Sequence, residues 1–439
     1  MRVNTLKSSV EDFVRIAKEK NWQLEPVPWT PEAFFVDRVD RETALGKDLL
    51  HLMGHVYMQE ASSMLPVALL DPQPGEKILD MSAAPGSKTT QMAARMNNTG
   101  LIIANDVQEK RLWTLKSALH RLGVTNMIVT KKVGQWFGKN MTGRFDRVLC
   151  DAPCTAQGTS RKDSDALDYC SLDNIGKMAK LQRELLEAAI HACKTGGRIV
   201  YSTCTLTPEE NEDVVRSMLD KFEGQLEVIN PLGTLLMQAV EDSLIVQKEL
   251  GMKPFPAYRV WPQTYDTEGF FCAVFHKLAQ TKDRLPFEPV RFQEEEVPQA
   301  RQKIFGKQLE EKYGTSFLQD GDVIFQRGDQ LLLANHPVSK FHMPVQDYSL
   351  GMPFAKRLKS EELRLDHEVA TLRGHMATKS VWELTDEHLN KLLDGKDTEC
   401  PRDLRGDVVL IYKGMCVGLG LAIDGVLKNR LPRWVVQKS

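Results

Sequence analysis

The middle of the chain, from about residue 77 to residue 277, alternates short apolar runs with segments of helical periodicity. The apolar runs are residues 77–80, 101–104, 127–130, 147–150, 198–201 and 270–275. Continuous apolar strands that are separated by helices are typical of a parallel sheet covered on both faces. The pattern therefore predicts a doubly wound α/β sheet, in which ligands bind at the carboxyl ends of the strands.

The segments on either side of this sheet show different patterns. At the N-terminus, a strand at residues 3–6, a helix capped by Ser8 with Glu11 in capping-box spacing, and a strand at residues 34–36 predict a small α+β element. On the other side, the Pro- and Glu-rich residues 284–298 are typical of a linker. Beyond them, one or two small β-rich domains are predicted by apolar runs at residues 323–325, 331–333, 408–411 and 417–421.

Composition narrows the class of protein. With 439 residues, of which 42% are hydrophobic and 26% charged, the chain has the composition of an ordinary globular protein. The formal net charge of −2 means that any nucleic acid must be held by local basic patches. Eight cysteines without a CxxC pair argue against a disulfide scaffold and a structural zinc site. Because no apolar stretch has the length of a signal peptide or a membrane span, we expect a soluble, cytoplasmic protein without a membrane or metal partner.

Two cysteines stand directly after strands that are predicted to be neighbours. Cys154 ends the sequence Asp151-Ala-Pro-Cys154, and Cys204 ends the sequence Ser202-Thr-Cys204. The interval of 50 residues suffices for one helix and a return to a parallel neighbour, so both thiols should meet at one sheet edge. A single cysteine is usually a buried, inert residue. Two of them at adjacent strand ends, one beside an aspartate, favour a site where a thiolate adds to a carbon of a pyrimidine.

The loop after the first strand of the sheet has the features of a ligand-binding loop. It reads Asp80-Met-Ser-Ala-Ala-Pro-Gly-Ser-Lys-Thr-Thr90 and opens a helix, and it matches neither the dinucleotide GxGxxG pattern nor a Walker loop. Asp106 ends the second strand 20 residues after Gly86, the interval at which a carboxylate can accept hydrogen bonds from a ribose. An N-cap is an equally good interpretation of Asp106 taken alone. Loop and aspartate together predict a nucleoside-containing cofactor.

The C-terminal tail carries three basic residues, Lys428, Arg430 and Arg433, around Trp434 and contains no acid. Basic residues next to an aromatic ring suit RNA phosphates and an exposed base. A solvated basic tail with Trp434 in the core is an equally good interpretation. The sequence leaves both open.

These motifs closely resemble those of the Sun-type RNA cytosine-5 methyltransferases, from residue 1 to about residue 280. The motifs are Asn4-Thr-Leu-Lys7, Gln59-Glu-Ala-Ser-Ser63, Ala83-Ala-Pro-Gly-Ser-Lys-Thr89, Asp151-Ala-Pro-Cys154, Arg161-Lys-Asp163, Tyr201-Ser-Thr-Cys-Thr205 and Glu209-Glu-Asn211. From about His367 onward the chain resembles the bacterial small-subunit ribosomal RNA methyltransferase F group, which ends in a PUA-like domain. The resemblance implies a Rossmann-like methyltransferase sheet. It also implies four parts, which are an RNA-binding element (1–50), a methyltransferase domain (51–280), a linker with an intermediate domain (281–365) and a PUA-like domain (366–439).

The resemblance also implies a reaction and roles for its residues. S-adenosylmethionine would be the cofactor, and Cys204 would attack C6 of a cytosine in 16S ribosomal RNA so that C5 accepts the methyl group. Cys154 would help to remove the C5 proton or release the product, Asp151 would hydrogen-bond the base, and Lys88 would orient the substrate. The target base would have to be flipped or single-stranded. The implied cofactor residues are Ser82, Ala83, Ala84, Pro85, Gly86, Ser87, Lys88, Asp106, Val133 and Asp151.

Two positions depart from the family pattern. Val133 stands where the family usually has an aspartate that binds the adenine amino group of the cofactor, a loss worth about 1 to 3 kcal/mol if that group stays buried and unpaired. The sequence Thr155-Ala-Gln-Gly158 replaces the commoner Ser-Gly-Glu-Gly. Two alternatives therefore remain, namely the same reaction on transfer RNA and a non-catalytic RNA-binding or ribosome assembly protein. For the oligomeric state, a monomer is the default expectation.

Overall fold

A computed structural model describes residues 1–39, 41, 44–162, 167, 168 and 170–436, which form four β-sheets with their helices. Asp163, the last residue of the Arg161-Lys-Asp163 motif, lies outside the described residues. Within the described part of the chain, no helix is long and apolar enough to cross a membrane.

The N-terminal element consists of β1 (Arg2–Val3), α1 (Val10–Glu19), β2 (Trp22–Val27), β3 (Thr30–Arg38), α2 (Leu49–Leu52) and β4 (Val56–Tyr57). Its sheet has the order β2-β3-β1-β4. Helix α1 packs on it through Phe13. The predicted cap at Ser8 is wrong by one residue, because the backbone N–H of Ser8 bonds Asn4 in a turn. Ser9 is the cap and accepts a hydrogen bond from the Asp12 backbone N at 3.0 Å.

The central sheet follows in chain order. Its elements are α3 (Leu65–Leu70), β5 (Lys77–Asp80), α4 (Ser87–Arg95), β6 (Leu101–Asn105), α5 (Glu109–Leu122), β7 (Met127–Thr130), α6 (Gln135–Asn140), β8 (Phe145–Asp151), α7 (Leu172–Ala192), β9 (Cys193–Thr203), α8 (Glu212–Lys221), β10 (Leu226–Val228), α9 (Met237–Glu249), β11 (Tyr258–Val260), α10 (Pro262–Tyr265) and β12 (Phe270–Lys277).

All six apolar runs of the sequence are strands of this sheet, and β5 to β9 are parallel as predicted. Strand β12 is antiparallel to β9, so the expectation of a wholly parallel sheet is wrong at this edge. Strands β10 and β11 also pair with β12 in antiparallel fashion. Buried residues on both faces of the sheet form two hydrophobic clusters.

The third sheet is built from the next segment. Its elements are β13 (Glu295–Glu296), α11 (Gln299–Tyr313), β14 (Asp322–Arg327), β15 (Gln330–Asn335), α12 (His336–Ser339), β16 (Ser349–Leu350), β17 (Met352–Arg357) and β18 (Leu363–Leu365). Strand β16 leaves this sheet and pairs with β7 of the central sheet. The end of the predicted linker is folded, because β13 pairs with β14 and Val297 is buried beside Ile324.

The C-terminal domain contains α13 (His367–Arg373), β19 (Val381–Glu383), α14 (Asp386–Leu393), β20 (Thr398–Glu399), β21 (Gly406–Tyr412), β22 (Met415–Ile423) and β23 (Val426–Asn429). Its sheet has the order β19-β21-β22-β23-β20. Lys7 joins it to the rest of the molecule, since its Nζ donates to the carbonyl of Arg121 and to Oγ1 of Thr371, both at 2.8 Å. Burial lowers the pKa of Lys7 to about 7.

The basic tail matches neither of its two interpretations fully. Lys428 pairs with Asp397 at 2.8 Å and Arg430 pairs with Asp407. Trp434 is 45% exposed. Two of the three basic charges are therefore partly neutralised by aspartates from other segments, and the indole ring is only half covered.

Candidate active site

The two cysteines lie at one edge of the central sheet, as their spacing predicts. Strands β8 and β9 are parallel, and Asp151 lies opposite Ser202. The Sγ atoms of Cys154 and Cys204 are 3.2 Å apart, and both residues are free and partly exposed. A thiol and a thiolate can share one proton at this distance.

The two thiols differ in their electrostatic surroundings. The hydrogen bond from Cys154 lowers the pKa of Cys204, because it stabilises the Cys204 thiolate against the opposing effect of burial. The same hydrogen bond and burial raise the pKa of Cys154 well above its ordinary value. Lys88 acts in the same direction, since its cation lowers the pKa of Cys204. The hydrogen bond and the Lys88 cation thus favour the thiolate form at Cys204, against burial and the Asp151 carboxylate, and favour the protonated form at Cys154.

Substitution of Cys154 by alanine is expected to raise the pKa of Cys204, because the stabilising hydrogen bond is lost. Alkylation of Cys204 by iodoacetamide should then slow at neutral pH and recover only at higher pH, as followed by peptide mass spectrometry. In Cys154→Ser the hydroxyl can still donate, so the midpoint should stay closer to that of the unmodified protein. In the unmodified protein, alkylation of Cys154 that is faster than alkylation of Cys204 would contradict this assignment.

An ion pair faces the thiols from the neighbouring strand end. Lys88 Nζ lies 2.7 Å from Asp151 Oδ2 and 5.5 Å from the centre of the Phe270 ring. Burial alone would lower the pKa of Lys88, but the Asp151 carboxylate reverses this and the pKa is raised. Ser202 Oγ donates to Asp151 Oδ1 at 2.7 Å. Both carboxylate oxygens of Asp151 are thereby oriented toward the thiol edge.

A buried carboxylate fixes the two cysteine-bearing loops relative to each other. Glu210 accepts hydrogen bonds from the Thr155 backbone N at 3.1 Å, from Gln182 Nε2 at 2.8 Å and from Thr207 Oγ1 at 3.1 Å. Tyr201 Oη donates to the Glu210 carbonyl at 2.5 Å. These bonds run from the loop after β8 to the loop after β9, so Glu210 positions both thiols.

The unusual sequence Thr155-Ala-Gln-Gly158 belongs to this contact. The Gln157 Oε1 atom accepts from the Leu206 backbone N at 3.2 Å, and Gly158 N donates to the Cys204 carbonyl at 2.9 Å. A Cβ at Gly158 would lie 2.2 Å from the Gly269 carbonyl oxygen, so no larger residue fits. Ala156 has a φ of 59°, the left-handed conformation that favours glycine. Its departure from the commoner glycine therefore costs about 1 kcal/mol of strain.

A cleft of about 480 Å³ opens beside the thiol edge, at the carboxyl ends of β5, β6, β7 and β8. This volume is within the usual range of a small-molecule site, and its lining combines polar groups with apolar side chains. The predicted residues that line it are Ser82, Ala84, Asp106, Val133 and Asp151. The structure thus places a cleft that fits a nucleoside next to Cys204.

The remaining residues of the loop do not line the cleft but fix the position of the loop. Ala83 N donates to the Asn105 carbonyl at 2.7 Å, and Gly86 packs against α5, where a Cβ would lie 3.2 Å from Leu115 and Ala118. Ser87 begins α4 with Lys88, and Pro85 faces the opposite side of the loop. Thr89 Oγ1 donates to Asp80 Oδ2 at 2.7 Å, and burial raises the pKa of Asp80 to about 7.

Asp106 is held in place by several partners. Its Oδ1 accepts from the Gln108 backbone N at 2.9 Å, and its Oδ2 lies 3.3 Å from both the Ala84 backbone N and Arg111 Nη1. The first residue before α5 is Gln108, so the N-cap interpretation of Asp106 is wrong. The carboxylate instead joins β6 to the loop on the wall of the cleft.

Val133 is 55% exposed and lines the same cleft. Its side chain has no acceptor for an amino group. The departure seen in the sequence therefore lies on the cofactor side of the site and leaves the thiol edge intact.

Sequence reasoning missed several residues of the site. Glu210 was visible only as a member of the Glu-Glu-Asn motif, and Ser202 only as part of the strand end. Arg111, Leu181 and Leu185 line the cleft from α5 and α7 without any local signal, because each looks like an ordinary residue of an amphipathic helix. Among the residues that the structure describes, no cluster of three or more histidine, cysteine or acidic side chains has the geometry of a metal site.

Comparison with known families and proteins gives consistent matches along the chain. A model of the N-terminal domain of the 16S rRNA methyltransferase RsmF matches residues 1–61, one of the 16S rRNA methyltransferase RsmB/F matches residues 67–276, and one of the methyltransferase RsmF PUA domain matches residues 379–437. The predicted PUA-like domain and the predicted fold class are confirmed.

Full-length relatives agree with these matches. The chain is 37% identical over 446 residues to the ribosomal RNA small subunit methyltransferase F of Aeromonas salmonicida, a match that spans 100% of this chain and 91% of that protein. It is 36% identical over 453 residues to the protein of that name from Klebsiella pneumoniae, with 100% and 90% of the two chains covered.

Solved structures match about two thirds of the chain. A methyltransferase homologue protein from Pyrococcus horikoshii superimposes with a TM-score of 0.53 and 39% identity, covering 63% of this chain and 85% of that one. The NSun6 protein of the same organism gives a TM-score of 0.52 at 25% identity, with coverage of 63% and 90%. The chain therefore belongs to the RsmB/F family of S-adenosylmethionine-dependent RNA methyltransferases.

Proposed function

We propose that this protein methylates C5 of a cytidine in 16S ribosomal RNA through a covalent bond between Cys204 and C6 of the base. The single observation that carries the proposal is the thiol pair, in which Cys154 stabilises the Cys204 thiolate beside the cleft. The names of the full-length relatives support ribosomal RNA of the small subunit as the substrate. The segments 1–50 and 366–439 are proposed to hold the RNA, and 51–280 to carry out the reaction.

The chemistry follows from the reactivity of the base. Carbon C5 of cytosine is a poor nucleophile, and addition of the Cys204 thiolate to C6 makes it an enamine. S-adenosylmethionine, when bound, would supply an electrophilic methyl group to C5 and would keep the electrons of its S–CH3 bond as the neutral thioether of S-adenosylhomocysteine. Asp151, which is hydrogen-bonded by Ser202, would accept a hydrogen bond from the amino group of the base, and the Lys88 cation paired with it would offset the negative charge that develops on the ring.

Release of the product requires loss of the C5 proton and of the bond to Cys204. Cys154 first loses its proton to solvent, and its thiolate, whose sulfur lies 3.2 Å from that of Cys204, then accepts the proton from C5. The electrons of the C5–H bond re-form the C5–C6 double bond, and the Cys204 thiolate leaves. Lys88 orients Asp151 and holds a positive charge near the leaving thiolate.

Labelled methyl transfer and bisulfite sequencing test the reaction and the substrate together. Ribosomal RNA and transfer RNA from cells that lack the protein should be incubated with it and with labelled S-adenosylmethionine. We expect one protected cytidine in the ribosomal RNA and none in the transfer RNA. Protection found only in transfer RNA would favour the alternative substrate. Absence of cofactor binding in calorimetry, even at millimolar concentration, would favour a non-catalytic RNA-binding protein.

The Val133→Asp substitution is expected to tighten the binding of S-adenosylmethionine by about five- to tenfold, because the new carboxylate can accept a hydrogen bond from the adenine amino group. The dissociation constant is measured by calorimetry. Val133→Ala is the matched control and should leave the affinity near that of the unmodified protein. Equal affinity in both variants would show that adenine does not bind at Val133.

A further inference from the structure

A shallow depression of about 490 Å³ lies on the far side of the cofactor loop from the cleft. It is formed by β4, α5 and the loop, and the residues that the argument uses are His51, Tyr57, Pro85, Trp113, Ser117 and Arg121. We call it the α5 surface. The residues that line it include no carboxylate, whereas hydroxyl groups, a cation and two aromatic rings are present.

Trp113 is the unusual residue of the α5 surface. Its side chain is 66% exposed, although a tryptophan in a soluble domain is usually well covered. The Nζ of Lys116 lies 5.8 Å from the centre of its ring. The free ring face and the nearby cation are the two parts of a stacking platform for a single-stranded nucleic acid.

Tyr57 is the second aromatic ring of the α5 surface. The guanidinium groups of Arg2 and Arg121 each lie 5.7 Å from the centre of its ring, so the ring is fixed in place. Burial raises the pKa of Tyr57, and the cations of Arg121, Arg2 and Lys88 oppose this effect. Arg2 is fully buried and Lys88 is paired with Asp151, so the cations available to a phosphate backbone at the α5 surface are Arg121 in its lining and Lys116 beside Trp113.

The cofactor loop connects the two sites physically. Ala84 lines the cleft and the next residue, Pro85, lines the α5 surface. A polynucleotide on the α5 surface would therefore lie against the same loop that lines the cleft. Base stacking supplies affinity without reading sequence, which suits a segment next to the flipped base.

We propose that the α5 surface binds a single-stranded RNA segment that flanks the target cytidine, with one base stacked on Trp113. This inference rests on the proposed function for the identity of the RNA. The occupant is RNA because the surface combines cations, hydroxyl groups and an uncovered indole and has no acidic residue in its lining.

Trp113→Ala in the full chain should raise the dissociation constant for a short fluorescein-labelled single-stranded RNA by about 5- to 100-fold, measured by fluorescence anisotropy. Trp113→Phe keeps a ring that can stack and should retain most of the affinity. Ile304→Ala is the matched control, because Ile304 is a similarly exposed apolar side chain on α11, at 58% exposure. The affinity for S-adenosylmethionine should be the same in all three variants.

Three results would overturn the proposal. If Trp113→Ala leaves the RNA affinity unchanged, no base stacks on Trp113. If Trp113→Ala also lowers the affinity for S-adenosylmethionine, Trp113 supports the cleft instead. A dimer in sedimentation that Trp113→Ala dissociates would make a second copy of this chain the occupant. Fluorescence anisotropy measures RNA binding without methyl transfer, so the test remains valid even if the proposed reaction does not occur. If Trp113→Ala transfers methyl groups and binds RNA with normal affinity, only the proposed RNA binding at the α5 surface is contradicted.

Discussion

Cys204→Ala is expected to lower the rate of methyl transfer by at least about 10⁴-fold, because it removes the thiol whose pKa is lowered and leaves Cys154, whose pKa is raised, as the remaining thiol of the pair. The variant should also form no covalent complex with RNA on a denaturing gel. Cys154→Ala keeps the nucleophile and removes the group that is proposed to accept the C5 proton. It should therefore accumulate a covalent complex that contains the methylated base and releases it slowly.

The two variants serve as controls for each other, because both cysteines lie at the same sheet edge and both substitutions replace cysteine by alanine. A covalent complex in Cys204→Ala and none in Cys154→Ala would exchange the two roles. Both variants should bind S-adenosylmethionine like the unmodified protein, because neither cysteine lines the cleft. Loss of cofactor binding in either variant would indicate a structural defect.

Arg259→Met is expected to destabilise the protein by about 3 to 5 kcal/mol, because it leaves the Glu212 carboxylate buried without its counter-ion. Arg259 Nε donates to Glu212 Oε1 at 3.0 Å, and both residues are at most 1% exposed. Arg259 also donates to the Leu206 carbonyl at 2.7 Å, two residues beyond Cys204. The free energy of unfolding is obtained from urea titration, and methyl transfer should fall with it.

Two further variants test whether the loss of stability in Arg259→Met comes from the unpaired charge of Glu212. Arg259→Met combined with Glu212→Leu removes the whole pair and should recover most of the stability, because no unpaired charge remains. Arg15→Met removes an arginine that pairs on the surface with Asp12 and Glu19, and it should leave the unfolding midpoint near that of the unmodified protein. If Arg259→Met and the double variant lose similar amounts of unfolding free energy, the destabilisation comes from lost packing and not from an unpaired charge.

Much of the site could be predicted from the sequence because its signals are local. Each apolar run became a strand within a few residues, and the residues after the strands lie at the carboxyl edge by the geometry of parallel sheets. The interval between Cys154 and Cys204 was enough to bring their thiols together, since it holds one strand-to-strand crossover through α7.

Other features had no local signal. The direction of β12 depends on its pairing with β11 and β9, and the composition of residues 284–298 concealed that Val297 packs in a core. The basic tail contains no acidic residue, yet Lys428 and Arg430 form ion pairs with aspartates that lie about 20 to 30 residues away in the sequence. Trp113 looks like one apolar residue of a helix until its exposure is known.

By itself the sequence determined the strand pattern, the loop that cradles a nucleoside and the presence of two thiols at one edge, because hydrophobic periodicity and strand-end position are properties of short segments. Only the tertiary structure gives the two thiols different electrostatic surroundings. That difference depends on the 3.2 Å distance between the two sulfur atoms and on the Lys88–Asp151 ion pair, whose members are 63 residues apart in the chain. It also placed Glu210 between the two loops and left Trp113 uncovered. Electrostatic stabilisation and burial depend on distances in space, and chain separation does not fix those distances.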